Sequence, residues 1–462
     1  MESPPPKFIA GQDREDRISA LPDHLLLDVL ERLDLREAVR AGALSTRWRR
    51  LPNHLSRVHL DVARFQGATP LEAMDAFTGA ARALLTLVPL AEGECVRGAL
   101  RVLILGFYMS SPHLRSIARL VEDIVSLGQT ECLEFCISPL PVSNTASLLT
   151  EIGQQFMSFS RAYRVAFSWL TGLTLQHHSL GHSDLTNLIS ACGGLRHLTL
   201  RICRLLEDSS LKINAHHSGI QELKFVCFRC TRIELVSLPK LREVQCLYWP
   251  YENPPVHFGY VPELRHVRLS SFAMAWLAPF ALSECLSRSA MNLSKLSLDF
   301  SHKMIWIQPE HPKNLAPIFR NLASVYLFGI FLECDLSWTL FILEAAPALL
   351  NIALSRHSCV KTPEHSAEKT NVVWEPSKDL KHVNLKLLSI FGCEDEDKVT
   401  NYIRLVMERA VGLKRIELDS EYFCEDCNAI DLERSKVHKA SMRRIKERLT
   451  HGSSSSVEII II

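Results

Sequence analysis

Residues 195–203 read Leu-Arg-His-Leu-Thr-Leu-Arg-Ile-Cys, and the first six of them show a pattern, L-x-x-L-x-L, that recurs along the chain. In a chain that is 47% hydrophobic, three apolar positions coincide by chance at roughly one site in ten. The regular spacing and the preference for leucine at the first position therefore carry the argument. The pattern starts at Leu100, Leu170, Leu195, Ile220, Leu241, Leu264, Leu293, Leu322, Leu349, Leu385 and Leu413.

The starts from Leu170 onward are separated by 25, 25, 21, 23, 29, 29, 27, 36 and 28 residues. Internal repeats of about 20–29 residues are typical of solenoids in which each unit contributes a short strand and a helix or loop. One unit cannot bury its apolar face alone, whereas stacked neighbours bury it in a continuous core. The sequence therefore predicts an α/β solenoid with a parallel sheet along its concave side.

Side chains alternate between the two faces of a strand, so the residues between the leucines are predicted to lie on the concave, solvent-facing side. They include both charge signs and aromatic rings, which suits a protein or peptide better than a phosphate backbone. We expect nine of these residues to contact a protein target. They are His197, Arg201, Lys224, His266, Arg268, Lys295, Asp299, Tyr326 and Phe328.

A second informative stretch, residues 16–51, reads DRISALPDHLLLDVLERLDLREAVRAGALSTRWRRL. Its apolar residues recur at helical spacing, Asp34 and Glu37 form a capping box that opens a helix from Leu35 to Ala43, and Ser45 is an expected N-cap for a third helix that carries Trp48. A segment this short cannot bury all of its apolar side chains within itself. The surplus apolar face therefore predicts a partner.

This stretch resembles the F-box family. The matching motifs are Asp16-Arg17-Ile18-Ser19, Leu21-Pro22-Asp23, Leu25-Leu26, Val29-Leu30, Leu33, Ala38-Val39, Leu44-Ser45 and Arg47-Trp48-Arg49. It departs from many members in having Leu33-Asp34-Leu35 where they carry a Leu-Pro pair. In the family, this module docks onto the Skp-type adaptor of a cullin-RING ubiquitin ligase. The resemblance implies adaptor contacts from Leu21, Pro22, Leu25, Leu26, Val29, Leu30, Val39, Leu44 and Trp48.

The repeats resemble the irregular leucine-rich repeats of plant F-box proteins, and the last part of the chain resembles the FBD region that follows them. The resulting interpretation is an α/β protein with a short N-terminal three-helix F-box followed by an irregular leucine-rich-repeat solenoid. We expect the tail to pair with a sheet edge, because an exposed apolar strand would aggregate. The predicted divisions are a disordered leader 1–15, the F-box 16–56, a connecting helical cap 57–99 with a helix at 71–88, repeats 100–360, a linker 361–381, the FBD-like region 382–450 with a basic helix at 434–448, and the tail 451–462.

Composition excludes several other classes of protein. The chain carries 52 basic and 51 acidic residues, which gives no electrostatic reason to expect nucleic acid as a partner. It has no signal-peptide pattern and no apolar run long enough for a membrane span, so we expect an intracellular protein, nuclear or cytoplasmic, that contacts no membrane. Two CxxC pairs, Cys227/Cys230 and Cys424/Cys427, lie too far apart in the chain for a zinc site to be expected. We expect no metal, no cofactor and no catalytic residue.

The resemblance implies a substrate receptor of an SCF-type ubiquitin ligase, tethered by the F-box and holding a target on the repeats. Such a receptor acts by proximity and needs no catalytic group of its own. Two alternatives remain open from the sequence. One is a leucine-rich-repeat scaffold outside any ligase, and the other is a receptor whose target site is completed by a small molecule.

Overall fold

A computed structural model describes residues 18, 21–65, 67, 69–85, 100–141, 146–206, 210–251, 254–271, 279–300, 305–356, 372–393, 395–419, 434–451 and 456–462, with backbone alone for residues 146 and 434–440. The predicted leader, most of the predicted linker and the pair Cys424/Cys427 lie outside these residues. The chain divides into two compact units, residues 1–135 and 136–462.

The first unit combines short helices with parallel strands in the order β1-β2-β3. Its elements are α1 (Asp23–Leu30), α2 (Leu35–Ala41), a 3₁₀ helix (Leu51–His54), β1 (Arg57–Asp61), a 3₁₀ helix (Val62–Arg64), α3 (Pro70–Leu85), β2 (Val102–Tyr108), α4 (Ser111–Val125) and β3 (Cys132–Ser138), within which the unit ends. Phe65, Phe77, Phe107 and Phe135 form a chain of ring contacts through its core, with centroids 5.4–6.4 Å apart.

Of the two N-caps predicted for the N-terminal helices, Asp34 begins an α-helix and Ser45 does not. Asp34 accepts a hydrogen bond from the Glu37 N–H at 2.8 Å and begins α2, which confirms that prediction. Ser45 accepts from the Trp48 N–H at 3.3 Å, but residues 46–50 form turns that lead into the 3₁₀ helix. The third α-helix was therefore a wrong prediction. Pro52 explains the difference, because it has no N–H for an α-helical hydrogen bond.

The second unit is built on one long parallel sheet. Its strands are β4 (Gly172–Gln176), β5 (Ser179–Leu180), β6 (His197–Arg201), β7 (Arg204–Leu205), β8 (Ser210–Asn214), β9 (Glu222–Val226), β10 (Arg232–Ser237), β11 (Glu243–Trp249), β12 (Val256–Tyr260), β13 (His266–Ser271), β14 (Phe280–Ala281), β15 (Lys295–Asp299), β16 (Ile307–Gln308), β17 (Ser324–Ile330), β18 (Asn351–Arg356), β19 (Leu387–Phe391), β20 (Arg415–Asp419) and β21 (Glu458–Ile461). The main sheet runs β4-β6-β9-β11-β13-β15-β17-β18-β19-β20-β21. The predicted α/β fold with a large parallel sheet is confirmed.

The leucine pattern sets the position of each strand. Strands β2, β4, β6, β9, β11, β13, β15, β17, β18, β19 and β20 each begin two residues after a pattern start, and every first residue of the pattern is buried. Two further repeats were not predicted from the sequence. Leu55 precedes β1 at the same spacing, and Thr130 replaces the first leucine before β3, where a polar residue conceals the pattern.

The segments that return between strands form a second layer of mixed structure. Its helices are α5 (Ala146–Ala162), α6 (Arg164–Ser168), α7 (Asp184–Ala191), α8 (Leu282–Cys285), α9 (Pro312–Phe319), a 3₁₀ helix (Ser337–Thr339), α10 (Leu340–Ala345), α11 (Asp397–Arg409) and α12 (Arg434–Thr450). Between α7 and α8 the returns are extended and form a three-stranded parallel sheet, β8-β10-β12.

Hydrophobic periodicity explains which kind of return each unit makes. The two consecutive units that start at Leu170 and Leu195 are both 25 residues long. The first buries Leu185, Leu188 and Ile189 at helical spacing and forms α7, whereas the second buries Leu211 and Ile213 at a spacing of two and forms β8.

The C-terminal residues continue the same sheet. Strands β19, β20 and β21 extend it through the predicted FBD-like region and the tail, and β21 pairs in parallel with β20, which confirms the predicted edge pairing. Residues 434–450 form the predicted basic helix, α12, and Arg448 forms ion pairs with Asp395 and Asp397 just before and at the start of α11. The negative charges of Asp395 and Asp397 therefore partly neutralise the positive charge of α12.

Several strands contain, or are followed by, a residue with a left-handed backbone conformation, and this residue has the same position in each repeat. His177, Ile202, Cys227 and Tyr248 have φ between 50° and 59°, and Gly329 and Gly392 have φ of 67° and 68°. Each lies seven residues after its pattern start. The N–H groups of His177, Ile202 and Cys227 still donate to the neighbouring strand, so the chain turns while its pairing is retained.

Candidate docking surfaces

The first candidate surface lies on the N-terminal module of residues 21–55. Helix α1 directs Leu26 and Leu30 into the core and leaves Leu25 and Val29 about 40% exposed. Leu44, in the turn after α2, is 71% exposed, which is unusual for a leucine in a structured segment. Pro22 is exposed and Leu21 half-buried. These residues are available to a partner without any rearrangement of the module.

Three of the predicted adaptor contacts have a different position. Leu26, Leu30 and Trp48 are 0%, 1% and 3% exposed, because they form the internal core of the module. We correct their assignment from expected contacts to core residues that hold the exposed residues in place. Leu33, which follows the end of α1, is 40% exposed and adds to the exposed apolar area of the module.

A polar contact fixes the turn against α1. The Arg47 guanidinium donates to Asp23 Oδ1 and to the Leu21 carbonyl, both at 2.7 Å. An exposed ion pair contributes little to stability by itself, but this one uses several donors of one planar group and holds the Leu21–Asp23 segment to the segment that carries Leu44.

The second candidate surface is the solvent-facing side of the main sheet, where parallel register aligns the alternate residues in rows. One row contains His197, Glu222, Glu243, His266 and Lys295 on five consecutive strands. His197 lies 3.0 Å from Glu222, and His266 lies 3.5 Å from Glu243. Glu222 and Glu243 were predicted to be solvent-facing, but they were not among the nine expected target contacts.

Four of the predicted target contacts form an aromatic and cationic cluster on β13, β15 and β17. Lys295 Nζ lies 4.8 Å from the centroid of the Tyr326 ring, and the guanidinium carbon of Arg268 lies 6.0 Å from that of Phe328. The two rings are stacked with centroids 6.2 Å apart and planes within 12°. Asp299 is opposite Phe328 in register. Cations held over rings retain free N–H donors and present an apolar surface beside them.

The remaining predicted target contacts lie elsewhere on the same sheet. Lys224, on β9, lies one row along the sheet from the pair of His197 and Glu222, and Arg201, on β6, lies two rows from it. The structure therefore divides the nine residues into a basic group on β6 and β9 and the four-residue aromatic and cationic cluster. The other two, His266 on β13 and Asp299 on β15, lie beside the cluster.

Three buried titratable side chains of this unit, His178, Cys203 and Cys230, are held in neutral forms. Burial lowers the pKa of His178 from 6.5 to about 4, and its Nδ1 lies 2.7 Å from the Gln176 carbonyl. Burial likewise raises the pKa of the Cys203 and Cys230 thiols to about 12. Cys227 and Cys230 are both free thiols, and within the described part of the chain no group of three or more His, Cys, Asp or Glu residues could hold a metal ion.

Comparison with known proteins identifies the architecture. A family model described as the At1g61320/AtMIF1 leucine-rich-repeat domain matches residues 119–459, which is more than half of the chain. The chain belongs to this leucine-rich-repeat family. A second family model, the F-box domain, matches residues 18–59 of this leucine-rich-repeat protein.

Several relatives from Arabidopsis thaliana carry both parts. The F-box/FBD/LRR-repeat protein At5g22660 is 24% identical and covers 91% of this chain and 92% of its own length. The F-box/LRR-repeat protein 13 is 45% identical over 12% of each chain, and the putative F-box/FBD/LRR-repeat protein At2g05300 is 46% identical over 13% of this chain and 14% of its own. The resemblance to plant F-box/LRR proteins with an FBD-like region is confirmed. In the residues that the structure describes, none of the helices has the length and apolar character that a membrane span requires.

Proposed function

We propose that this F-box/LRR protein is the substrate-recognition subunit of an SCF-type, cullin-RING ubiquitin ligase. The observation that carries the proposal is the N-terminal module, where an F-box match coincides with exposed apolar residues on α1 and the turn after α2. Such residues are stabilised by a partner that removes them from water. A Skp-type adaptor is the partner that an F-box implies.

In this proposal the adaptor contacts come from Leu21, Pro22, Leu25, Val29, Val39 and Leu44. Leu26, Leu30 and Trp48 support that surface from inside the module. The sheet of the second unit holds the target protein, and the chain raises the effective concentration of a target lysine near the ubiquitin-loaded enzyme. The subunit itself is non-catalytic and works inside the cell, in the nucleus, the cytoplasm or both.

Co-purification with a plant Skp-type adaptor tests the docking surface. The double variant Leu25→Glu/Leu44→Glu places two charges where apolar contacts are expected, and we expect it to lose the adaptor. Leu71→Glu/Leu127→Glu is the matched control, since these leucines of the same unit are 49% and 44% exposed and lie outside the F-box. Circular dichroism of both variants checks their folding. If the wild-type chain does not bind the adaptor, the proposal fails and a scaffold outside any ligase becomes the better interpretation.

Proximity labelling in plant cells tests the target surface. Arg268→Glu/Lys295→Glu reverses both cations of the cluster, and we expect it to lose labelled target proteins while it keeps the adaptor. Lys240→Glu/Arg320→Glu is the control, because these two exposed cations lie outside the cluster, next to a pattern start and at the end of α9. An unchanged set of labelled proteins in the cluster variant would contradict its role in target binding.

A further inference from the structure

The first unit contains a cleft that shares a single lining residue, Val39, with the proposed adaptor surface. It has a volume of about 960 Å³ and lies among α2, the 3₁₀ helix Leu51–His54, β1 and α3. Its apolar lining residues are Leu35, Val39, Pro52, Leu60, Phe65 and Leu84. A mostly apolar concavity of this size matches the range of about 300–1,000 Å³ in which proteins enclose small molecules.

The charged lining residues are strongly unbalanced. Four arginines, Arg36, Arg40, Arg49 and Arg64, line the cleft with the single carboxylate Asp61, whose Oδ1 accepts from the Ala63 N–H at 2.9 Å. Within the described ranges, none of the four arginines lies within ion-pair distance of a carboxylate.

One of these arginines has a hydrogen-bonded position. Arg36 donates to the backbone carbonyl of Arg64, a neutral acceptor that leaves its charge uncompensated. The cleft therefore combines an apolar lining with a positive potential, and an anion with an apolar body is complementary to both.

We propose that this cleft binds a small amphipathic organic anion. The apolar body of the ligand lies against Leu35, Phe65 and Leu84, and its carboxylate or sulfonate is held by Arg40 and Arg49. A folded protein partner fits the cleft less well, because a stable protein interface buries about 800 Å² on each side. The proposal does not depend on ligase assembly.

Fluorescence titration of the full-length chain tests the proposal with two probes of similar shape. 1-Anilinonaphthalene-8-sulfonate carries the anionic group, and N-phenyl-1-naphthylamine has a closely similar aromatic body without it. We expect saturable binding of the sulfonate at one molecule per chain, and at least tenfold weaker binding of the neutral probe. Arg40→Gln/Arg49→Gln should weaken sulfonate binding about tenfold and leave the neutral probe unaffected.

Two further variants separate the cleft from general surface binding. Arg32→Gln/Arg50→Gln removes two exposed arginines of the same module that do not line the cleft, and sulfonate affinity should stay unchanged. Ala80→Phe partly fills the cleft and should weaken binding of both probes. Non-saturable binding, or equal loss in both arginine pairs, would overturn the proposal. Stoichiometric displacement of the sulfonate by a Skp-type adaptor would also overturn it, because the cleft would then be a protein interface.

Discussion

Ile202 has a backbone conformation that β-branched residues rarely adopt, with φ of 53°. Its N–H nevertheless donates to the Val226 carbonyl at 2.7 Å, so the pairing of β6 with β9 holds the residue in place. In the corresponding positions of two later units the chain carries glycine, Gly329 and Gly392. The sheet therefore imposes the left-handed turn even where the side chain opposes it.

We predict that Ile202→Gly stabilises the protein by about 1 kcal/mol, because the relief of steric strain exceeds the loss of a 45% exposed side chain. Urea denaturation measures the change. Val236→Gly is the control, a β-branched residue of similar exposure within β10 whose φ is not positive, and it should destabilise the protein. Destabilisation by both substitutions would show that Ile202 is not strained.

His178 holds the repeat position that Cys203 holds in the next unit, eight residues after the first leucine. It is fully buried, and its Nε2 has no hydrogen-bond partner among the described residues. A proton on this ring would therefore be poorly solvated, which is the physical cause of the lowered pKa.

This burial predicts a pH-dependent stability. Between pH 6.5 and about 4 the unfolded chain binds a proton that folded His178 does not, so stability is retained above pH 6.5 and falls as the pH approaches 4. The difference between the two pKa values corresponds to about 3 kcal/mol. His178→Asn keeps a donor for the Gln176 carbonyl and cannot titrate. Denaturation at pH 7.5 and pH 4.5 should show a smaller loss of stability in this variant, and equal losses would contradict the assignment.

At the scale of elements, the close approach of β18 to the turn after β19 depends on a glycine. A Cβ added at Gly392 would overlap the backbone carbonyl oxygen of Arg356, and φ of 68° is itself unfavourable for other residues. We expect Gly392→Ala to destabilise the second unit by at least about 2 kcal/mol. Gly79→Ala, in α3 with open space around it, should stabilise the protein by about 0.5–1 kcal/mol. Thermal unfolding of both variants provides the comparison.

The sequence could predict the strands better than what connects them. Each pattern start places its strand correctly, because leucine at three fixed positions leaves one way to bury them. Between β4 and β18 the connections between strands were not assigned in advance, because a segment of 25 residues accommodates α7 in one unit and β8 in the next. The unit at Thr130 was missed because its first position is polar.

The candidate surfaces were predicted in part for a related reason. Period-two alternation identifies the solvent-facing side of a strand, so Lys295, Tyr326 and Phe328 could be named from the sequence. Their mutual contacts depend on the parallel register of separate strands. Within the F-box, buried and exposed leucine and valine residues recur at the same helical spacing. Sequence alone could therefore not separate the buried Leu26 and Leu30 from the exposed Leu25 and Val29.

At the scale of the molecule, the last strand covers an edge that would otherwise be open. Ile459 of β21 is buried against the sheet, and four residue pairs join β21 to β20. Deletion of residues 456–462 should lower stability by about 2 kcal/mol and promote aggregation through the exposed edge of β20. Light scattering after size-exclusion chromatography measures the oligomer. Deletion of Ile462 alone, which is 57% exposed, should leave the chain monomeric, and equal aggregation of both forms would contradict the prediction.

The separation of buried leucines from alternating solvent-facing residues has a consequence for how such proteins diversify. Tyr326, Lys295 or Arg268 can be exchanged at little cost to folding, because the core is formed by neighbouring residues such as Leu296 and Leu327. Duplicated copies of a gene for such a chain can therefore drift toward new binding partners while the architecture is inherited unchanged. Binding specificity then changes at the solvent-facing positions of a strand, while the buried positions of the same strand preserve the fold.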